Sequence, residues 1–439
     1  MNQVLTSETS CSPTRRFVVT TLLVTLLGLL LRSLLLSSQP ASLDDFGVGL
    51  TAINYMESGQ LGPIMWNHPD LSYILVYCAL KLFGPGVVGL KVLSVVFGAL
   101  SVTFVALVAR RITRDETIAL LAAFLWAIDS LSIDMSRQAV HEIYQSFFPL
   151  VGVYLAYRFR ESGRSLWLVG SGVVFGLGIA TKWNGAFPLA VTFGWLGVII
   201  WSDRELLPGE RYARSALVAA ALLVLPVVIY VMTFIPWLGR GYSLTEWVGL
   251  QQSMYRETSI HTGYKGTIKG DSNPAVWFVL PVSWDDLFDN RDSIGGSVND
   301  PSGQETVTVL MGLTNPLVWL LVIPAIVLAV RRGFRRRDEG LCFLTALFFG
   351  TYLPLLAVSL SRPVWVCTAL SVMPFGVIAV AYLICTWLTP VTTRKNYFMV
   401  YLTLVVLVAV PLYFLAIGKG LSMPIVGDYL RQRIETKGY

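Results

Sequence analysis

The sequence predicts an all-α polytopic membrane protein, and three observations indicate this class: an apolar composition, many long apolar runs and basic residues placed between them. Of the 439 residues, 54% are hydrophobic and 14% are charged, whereas a soluble domain carries about 25% charged residues. The net charge of +6 could suit nucleic acid. The basic residues, however, lie in short clusters between apolar runs, which is typical of membrane orientation.

The cysteines and the N-terminal region fit the same class. Four of the five cysteines lie in apolar runs, without the spacing typical of disulfides or zinc sites. The first apolar run follows Arg15-Arg16 and lacks a clear small-x-small cleavage site. We therefore expect this run to be retained as the first membrane span.

Eleven apolar runs, two of them short, are candidates for crossing the roughly 30 Å of membrane hydrocarbon. They lie near residues 17–36, 86–109, 116–134, 139–158, 166–181, 185–201, 215–236, 315–330, 340–359, 364–386 and 397–416.

The basic clusters predict the orientation of these spans. If the N-terminus is cytoplasmic, every connection that follows an even-numbered span is cytoplasmic as well. These connections hold Arg110, Arg111 and Arg114; Arg158, Arg160 and Arg164; Arg204, Arg211 and Arg214; the arginines of residues 331–337; and Arg394 with Lys395. Because cytoplasmic loops carry an excess of Lys and Arg, the sequence predicts a cytoplasmic N-terminus and a C-terminus outside the cytoplasm.

One apolar segment, DLSYILVYCALKLF at 70–83, is too short to be assigned as a span. A crossing at this point would also move every later basic cluster to the outer side. We therefore predict an interfacial or re-entrant helix on the outer face, ended by the turn residues Gly84, Pro85 and Gly86.

Two long connections are predicted on the outer side. The first, 37–85, carries several acidic residues and a histidine, and the second, 237–314, is rich in turn residues and is expected to be loop with short helices such as 244–256. The predicted parts are an N-terminal transmembrane module that includes the first outer loop (1–236), the large outer loop (237–314), and C-terminal helices with an outer tail (315–439).

Polar side chains from distant parts of the chain gather at the outer ends of the predicted spans. The set comprises Asp44, Asp45, Asp134, Arg137, His141, Glu142 and Lys182, and the three histidines of the chain, His68, His141 and His261, all fall on this side. Such convergence at one membrane face is typical of a functional site.

These residue types suit transfer of a group from a lipid phosphate. A carboxylate can act as general base on an alcohol. Arg and Lys at the membrane surface suit an anionic phosphate, which Arg can bind with two hydrogen bonds. Together they predict glycosyl or phosphoryl transfer to a hydroxyl, with cations stabilising the charge that develops on the departing phosphate.

The same residues allow other interpretations. His68, His141, Asp44, Asp45 and Glu142 could meet around a divalent metal ion, although no closely spaced motif such as H-E-x-x-H supports one. A transporter also has many spans and intramembrane charges, but here the charges collect at the outer ends, and no inverted repeat of broken helices is evident. A non-catalytic scaffold is a further alternative.

Several short motifs follow one another along the chain. The acidic pair Asp44-Asp45 comes after the first span, and HPDL at 68–71 follows it. The later motifs are DSLSIDMSRQAVHEIYQSFF, with Asp129, Arg137 and Glu142; GLGIATKWNGAF, with Lys182 and Trp183; LQQSMYRETSIHTGYK, with Gln251, Tyr255 and His261; and MGLTNPLVW.

In their order, these motifs resemble those of the protein O-mannosyltransferases, glycosyltransferase family 39, and the resemblance covers most of the chain. It implies the GT-C fold, a polyprenyl-phosphate-linked mannose donor, and inverting transfer to Ser/Thr hydroxyls of translocated proteins. By the resemblance, Asp44 is the base, Asp45 assists or orients it, and Arg137 and Lys182 hold the donor phosphate. The candidate substrate-binding residues are His68, Asp129, Glu142, Trp183, Gln251, Tyr255 and His261.

The chain also departs from the family pattern. Asp45 stands where the family has Glu, Asp70 replaces the second Pro of its His-Pro-Pro-Leu element, and SRPVWVCTALSVMPF lacks the usual His-Tyr. The outer loop is too short for the β-trefoil domain of the eukaryotic enzymes, which indicates a prokaryotic, plasma-membrane form. Related GT-C enzymes give aminoarabinose or other sugars to lipid A, so a lipid acceptor is the main alternative to a protein.

Overall fold

The computed structural model of the chain describes residues 12–39, 43–63, 68–260, 273–279, 294–299, 305–309, 312–361, 364–388, 392–419 and 422–424. Helices dominate this described part. Their bounds are α1 Arg15–Ser33, α2 Leu43–Ser58, α3 Leu71–Phe83, α4 Val87–Thr113, α5 Glu116–Ala127, α6 Ser130–Ser136, α7 Glu142–Ser162, α8 Ser165–Thr181, α9 Ala186–Ser202, α10 Pro208–Ala219, α11 Leu225–Met232, α12 Ile235–Leu238, α13 Leu244–Ile260, α14 Pro316–Trp319, α15 Val322–Arg336, α16 Glu339–Val358, α17 Met373–Leu388 and α18 Thr392–Ala416.

Each apolar run of the sequence coincides with helical structure, and the predicted class, an integral membrane protein built from helices, is confirmed. By length and composition, seven helical segments of the described residues could cross a membrane, or eight if α5 and α6 form one span bent by 58°. Shorter apolar helices include α3, α8 and α17. The full count of eleven crossings stays a prediction.

The bend between α5 and α6 is stabilised by a buried arginine of α1. The Arg32 side chain is fully buried and donates hydrogen bonds to the carbonyl of Ala127 and to the hydroxyls of Ser132 and Ser136. Because the chain leaves the α-helical pattern at the bend, Arg32 satisfies a backbone carbonyl that would otherwise lack a partner in the bundle. Arg32 thereby fixes the direction of α6, which leads into the candidate site.

The two long connections, predicted to be on the outer side, contain more regular structure than the sequence predicted. Residues 37–85 hold α2 as well as α3, so Asp44 and Asp45 lie in the first turn of a helix. Within 237–314, the strands β1 (Ile294–Asn299) and β2 (Glu305–Val309) pair antiparallel. A third strand, β3 (Ser422–Pro424), follows α18 and pairs with β2, so this part of the chain lies at the same end as the large loop.

Two glycines let α8 approach the segment 220–232 closely. A Cβ atom on Gly172 would lie 1.9 Å from the carbonyl oxygen of Ala221, and one on Gly176 would lie 2.9 Å from the carbonyl oxygen of Pro226. Small residues at a helix contact permit such backbone approach inside a membrane. This contact supports the end of α8, where Lys182 and Trp183 follow.

We predict that Gly172→Ala separates α8 from the segment 220–232 and destabilises the protein by about 1–3 kcal/mol, the range for an overpacked core. Thermal unfolding of the detergent-solubilised protein measures this loss. Gly194→Ala in α9 is the matched control, because a Cβ there meets no described atom within 4 Å. Equal unfolding temperatures for the two variants would contradict the close contact.

Candidate active site

The acidic pair lies at the start of α2, and the structure fixes its second member tightly. Asp45 is buried, with Oδ2 2.8 Å from the ammonium of Lys91 on α4. Its Oδ1 accepts a hydrogen bond of 2.6 Å from the backbone N–H of Ala139. Asp44 precedes it in the first turn of α2, and its side chain lies outside the described part of the structure.

Arg137, directly after α6, is completely buried and holds the chain that leaves α1. Its Nε donates to Gln39 Oε1 at 2.8 Å, and its Nη1 donates to the carbonyls of Arg32 and Leu34 at 2.9 and 2.8 Å. Its Nη2 has no hydrogen-bond partner among the described residues. The guanidinium therefore joins the chain after α1 to the end of α6.

Two of the three histidines meet beside α3. The His141 Nδ1 forms a hydrogen bond with the hydroxyl of Ser72, and the rings of His68 and His141 stack edge to face with centroids 4.4 Å apart. Tyr73 contacts His141 from α3, with ring centroids 5.0 Å apart. His261, the third histidine, lies outside the described residues.

An ion pair joins the start of α7 to the end of α8. Lys182 Nζ lies 2.7 Å from Glu142 Oε1, and both side chains are largely buried. The Cys367 thiol lies 3.8 Å from the same carboxylate oxygen. The sequence thus correctly placed Glu142 and Lys182 at one end of the bundle, and the structure adds that they are direct partners.

A chain of hydrogen bonds continues from Trp183, the residue after Lys182. The Trp183 indole N–H donates to the Tyr230 hydroxyl at 2.9 Å, and this hydroxyl donates to Gln251 Oε1 at 2.5 Å. This chain connects the end of α8 to α11 and to α13 of the large outer loop. Gln251 therefore lies beside the candidate site, whereas Tyr255, one turn further along α13, has a side chain 65% exposed.

Asp129 lies at the bend between α5 and α6, where its carboxylate accepts two hydrogen bonds. Asp129 caps α6 by accepting a hydrogen bond of 2.8 Å from the N–H of Ser132. Its other oxygen accepts a hydrogen bond of 3.0 Å from the indole of Trp319. These two bonds satisfy the buried carboxylate and join α6 to α14. A structural role for Asp129 follows directly from them.

The segment 137–142 brings most of these contacts together. Arg137 begins it, Ala139 binds Asp45, and His141 and Glu142 end it. Among the described residues, no group of three or more His, Cys, Asp or Glu side chains is placed to hold a metal ion. The geometry supplies carboxylates, a buried guanidinium and aromatic surfaces, which together can bind a sugar phosphate and deprotonate an alcohol.

Sequence reasoning missed Lys91, Gln39, Ser72 and Tyr230. One signal could have found Lys91, because an ionisable residue inside a predicted span is a candidate functional residue. Gln39, Ser72 and Tyr230 carry no such signal, since uncharged polar residues are common near span ends. Their partners are distant in sequence and become evident only from the fold.

Comparisons with known proteins find similarities in both sequence and fold. Residues 65–237 match the family model for dolichyl-phosphate-mannose-protein mannosyltransferase. The match covers less than half of the chain. The chain is similar to the polyprenol-phosphate-mannose–protein mannosyltransferase of Mycolicibacterium smegmatis, with 23% identity over 371 residues, 72% of this chain and 70% of the relative.

The predicted GT-C fold is confirmed by a solved structure. The S. cerevisiae protein O-mannosyltransferase complex bound to the sugar donor superimposes with a TM-score of 0.67 at 12% identity, covering 96% of this chain and 92% of that one. A shorter part of the chain is similar to the undecaprenyl phosphate-α-4-amino-4-deoxy-L-arabinose arabinosyl transferase of Pseudomonas aeruginosa. The identity is 32% over 172 residues, which cover 38% of this chain and 31% of the relative.

Asp70, where the family motif has proline, begins α3 and is buried. Its Oδ1 accepts a hydrogen bond of 2.5 Å from the Tyr55 hydroxyl, and its Oδ2 has no partner among the described residues. Burial raises the pKa of Asp70 to about 6, although the Tyr55 hydrogen bond and the charge of Arg240 oppose this rise. Folded Asp70 therefore retains its proton at pH values at which an unfolded aspartate has lost it.

We predict that Asp70 makes the protein less stable as the pH rises. Its pKa increases from 3.8 to about 6 on folding, so the folded state binds more protons in this interval, and stability falls from about pH 4 until it levels off above about pH 6. Unfolding temperatures between pH 4 and 8 should show that Asp70→Asn removes this fall, which corresponds to at most about 3 kcal/mol.

Tyr55→Phe provides the second comparison. It removes a hydrogen bond that favours the charged carboxylate, so the pKa of Asp70 should rise further and the fall in stability should extend to higher pH. Parallel pH profiles for the wild type and Asp70→Asn would contradict the assignment.

Proposed function

We propose that this chain is a membrane glycosyltransferase that transfers mannose from a polyprenyl-phosphate donor to Ser/Thr hydroxyls of translocated proteins, with inversion at the sugar carbon. One observation carries the proposal. The residues that match the family model, 65–237, include the segment 137–142 and the ion pair of Glu142 with Lys182. Relatives named for this activity align over 72% of the chain.

The chemistry is a single displacement. A general base removes the proton of the acceptor hydroxyl, and the oxygen attacks the anomeric carbon of the mannose. The bond from that carbon to the phosphate oxygen breaks, and the polyprenyl phosphate leaves as an anion that stays in the membrane. The protein must therefore supply one base and a positive charge near the departing phosphate.

The pairings favour Asp44 as the base. Asp45 is paired with Lys91, and Glu142 is paired with Lys182. Both carboxylates therefore already have a lysine as their partner. Asp129 accepts hydrogen bonds from the backbone of Ser132 and from Trp319, at the bend of the bundle. Within the acidic pair at the start of α2, the ion pair of Asp45 with Lys91 leaves Asp44 as the candidate for the base.

The remaining residues receive supporting roles in this proposal. Arg137 presents Nη2 to the donor phosphate, since this nitrogen has no partner among the described residues. Lys182 adds positive charge nearby, and Trp183 with Gln251 forms one wall of the sugar and acceptor site. The site faces the outer side of a prokaryotic plasma membrane, with the N-terminus in the cytoplasm.

Asp44→Asn should lower mannose transfer at least about a hundredfold, the lower range for loss of a general base, while expression and thermal unfolding stay unchanged. The assay uses purified protein, polyprenyl-phosphate mannose and a Ser/Thr-rich peptide. Glu57→Gln is the matched control, because Glu57 is an exposed carboxylate on the same helix. Transfer retained by Asp44→Asn would refute the assignment of the base.

A lipid acceptor is the second candidate function, and the similarity to the arabinosyl transferase of P. aeruginosa favours it. With either acceptor, the donor is a polyprenyl-phosphate-linked sugar, and only the hydroxyl that receives the sugar differs.

We predict that cells with this chain carry hexose on secreted proteins, and that deletion of the chain removes it without changing the membrane glycolipids. Mass spectrometry of both fractions, with and without the chain, checks this prediction. A change confined to glycolipids would favour the lipid acceptor instead. Complementation with Asp44→Asn is the control that links the modification to catalysis.

A further inference from the structure

Two buried hydrogen-bond donors in the region between the end of α1 and the end of α6 have no partner among the described residues. They are Nε2 of Gln39 and Nη2 of Arg137. Gln39 is 3% exposed, and Arg137 is completely buried. A buried donor without a partner is costly, so two such atoms at one place indicate that a ligand completes their hydrogen bonds.

The hydrogen bond between these two side chains fixes the direction of the Gln39 amide. Arg137 Nε lies 2.8 Å from the amide oxygen of Gln39. Because a guanidinium only donates, the oxygen must face it, and the nitrogen must be at the other corner of the amide. Nη2 belongs to the same planar guanidinium as Nε, and Nε2 to the same planar amide as the bonded oxygen. The two unpaired donors are therefore close neighbours.

The positive charge at this position also lacks a direct counterion. The other hydrogen-bond acceptors of Arg137 are the carbonyls of Arg32 and Leu34. Asp134 attracts Arg137 electrostatically, but no ion pair joins them among the described residues. A water molecule could accept both free hydrogen bonds, yet it would not offset the charge. A phosphate oxygen accepts both and carries the opposite charge.

Exposed apolar side chains next to the two donors favour a phosphate that is carried by a lipid. Leu34, whose carbonyl binds Arg137, is 47% exposed, and Leu35 is 50% exposed. Leu30, one turn before Leu34, is 56% exposed. Neighbouring exposed apolar side chains are typical of a surface that contacts membrane. The ligand therefore reaches the donors from the membrane side.

We propose that Gln39 is a further binding residue for the donor substrate. Its Nε2 and Nη2 of Arg137 donate together to the phosphate of polyprenyl-phosphate mannose, and afterwards to the polyprenyl phosphate that remains. The inference rests on the proposed function, in which the donor is a polyprenyl phosphate and Arg137 binds it. The Gln39 amide then has two tasks, because its oxygen holds the guanidinium and its nitrogen binds the ligand.

The variant Gln39→Glu separates these two tasks. A carboxylate oxygen still accepts the hydrogen bond from Arg137 Nε, so the unfolding temperature should not fall. The donor at Nε2, however, is replaced by a negative charge that repels the phosphate. Binding of polyprenyl phosphate to the protein in nanodiscs should weaken at least about tenfold, the scale of one hydrogen bond to a charged group. The KM for a Ser/Thr-rich peptide should stay unchanged.

Gln60→Glu is the matched control. Gln60 is an exposed glutamine whose Oε1 also accepts a hydrogen bond from an arginine, Arg240, at 3.2 Å. This variant should bind polyprenyl phosphate as tightly as the wild type does. Inorganic phosphate at the same concentrations should not displace polyprenyl phosphate from the wild type. Equal displacement would show a general anion site and overturn the assignment to a lipid phosphate.

A crosslinking experiment keeps the inference testable if Gln39→Glu does not fold. A photoreactive benzophenone side chain in place of Leu34 should crosslink to radiolabelled polyprenyl phosphate, and excess unlabelled lipid should abolish the crosslink. The same side chain in place of Leu166 is the control, because Leu166 is 76% exposed near the start of α8, whereas Lys182 follows the other end of that helix. Absence of a specific crosslink at position 34 would overturn the inference.

The outcomes separate the inference from the function on which it rests. If folded Gln39→Glu binds polyprenyl phosphate as tightly as the wild type, Gln39 only orients Arg137, and the inference is wrong. If the wild type itself neither binds polyprenyl phosphate nor transfers mannose, the proposed function is contradicted instead.

Discussion

The site depends on the contact between Asp45, Lys91 and the backbone of Ala139, which joins three separate parts of the chain. Asp45 starts α2, Lys91 belongs to α4, and Ala139 lies in the connection between α6 and α7. Both side chains of the ion pair are buried. Breaking a buried ion pair by removing one partner typically costs about 3–5 kcal/mol. This mutual dependence holds α2 in a single position against the segment 137–142.

The buried charge of Arg137 is compensated in a different way from that of Asp45 and Lys91. Its guanidinium is satisfied chiefly by neutral oxygens, the carbonyls of Arg32 and Leu34 and the amide of Gln39. Among the described residues, no carboxylate lies within 4.0 Å of it. Asp134 attracts it electrostatically without a direct contact. The hydrogen bonds to neutral oxygens stabilise the fold, and in the proposed function Nη2 also binds the donor phosphate.

The sequence predicted the helical layers well, because the apolar runs and basic clusters are properties of local composition. It also predicted Glu142 and Lys182 at the same ends of the spans, since both belong to motifs placed there, but it did not predict their direct contact. The pairing of Asp45 with Lys91 could not be predicted, because it joins residues 45 and 91 across two helices. The bend after Ala127 was not predicted either, because residues 116–134 form one continuous apolar run. The strands β1 and β2 of the large loop were not predicted, because residues 237–314 are rich in turn residues.

The pairings also divide the positive charges of the site between two tasks. Lys91 and Lys182 each match a buried carboxylate, so each pair is close to neutral as a unit. A neutral pair gives little net stabilisation to an anion that develops during the reaction. Arg137, whose described partners are uncharged, is the group that can offset the charge of a departing phosphate. In the proposed reaction Arg137 would therefore act most strongly on the leaving group, and Lys182 would add a smaller contribution, because a cation paired with a carboxylate presents less net charge to the phosphate.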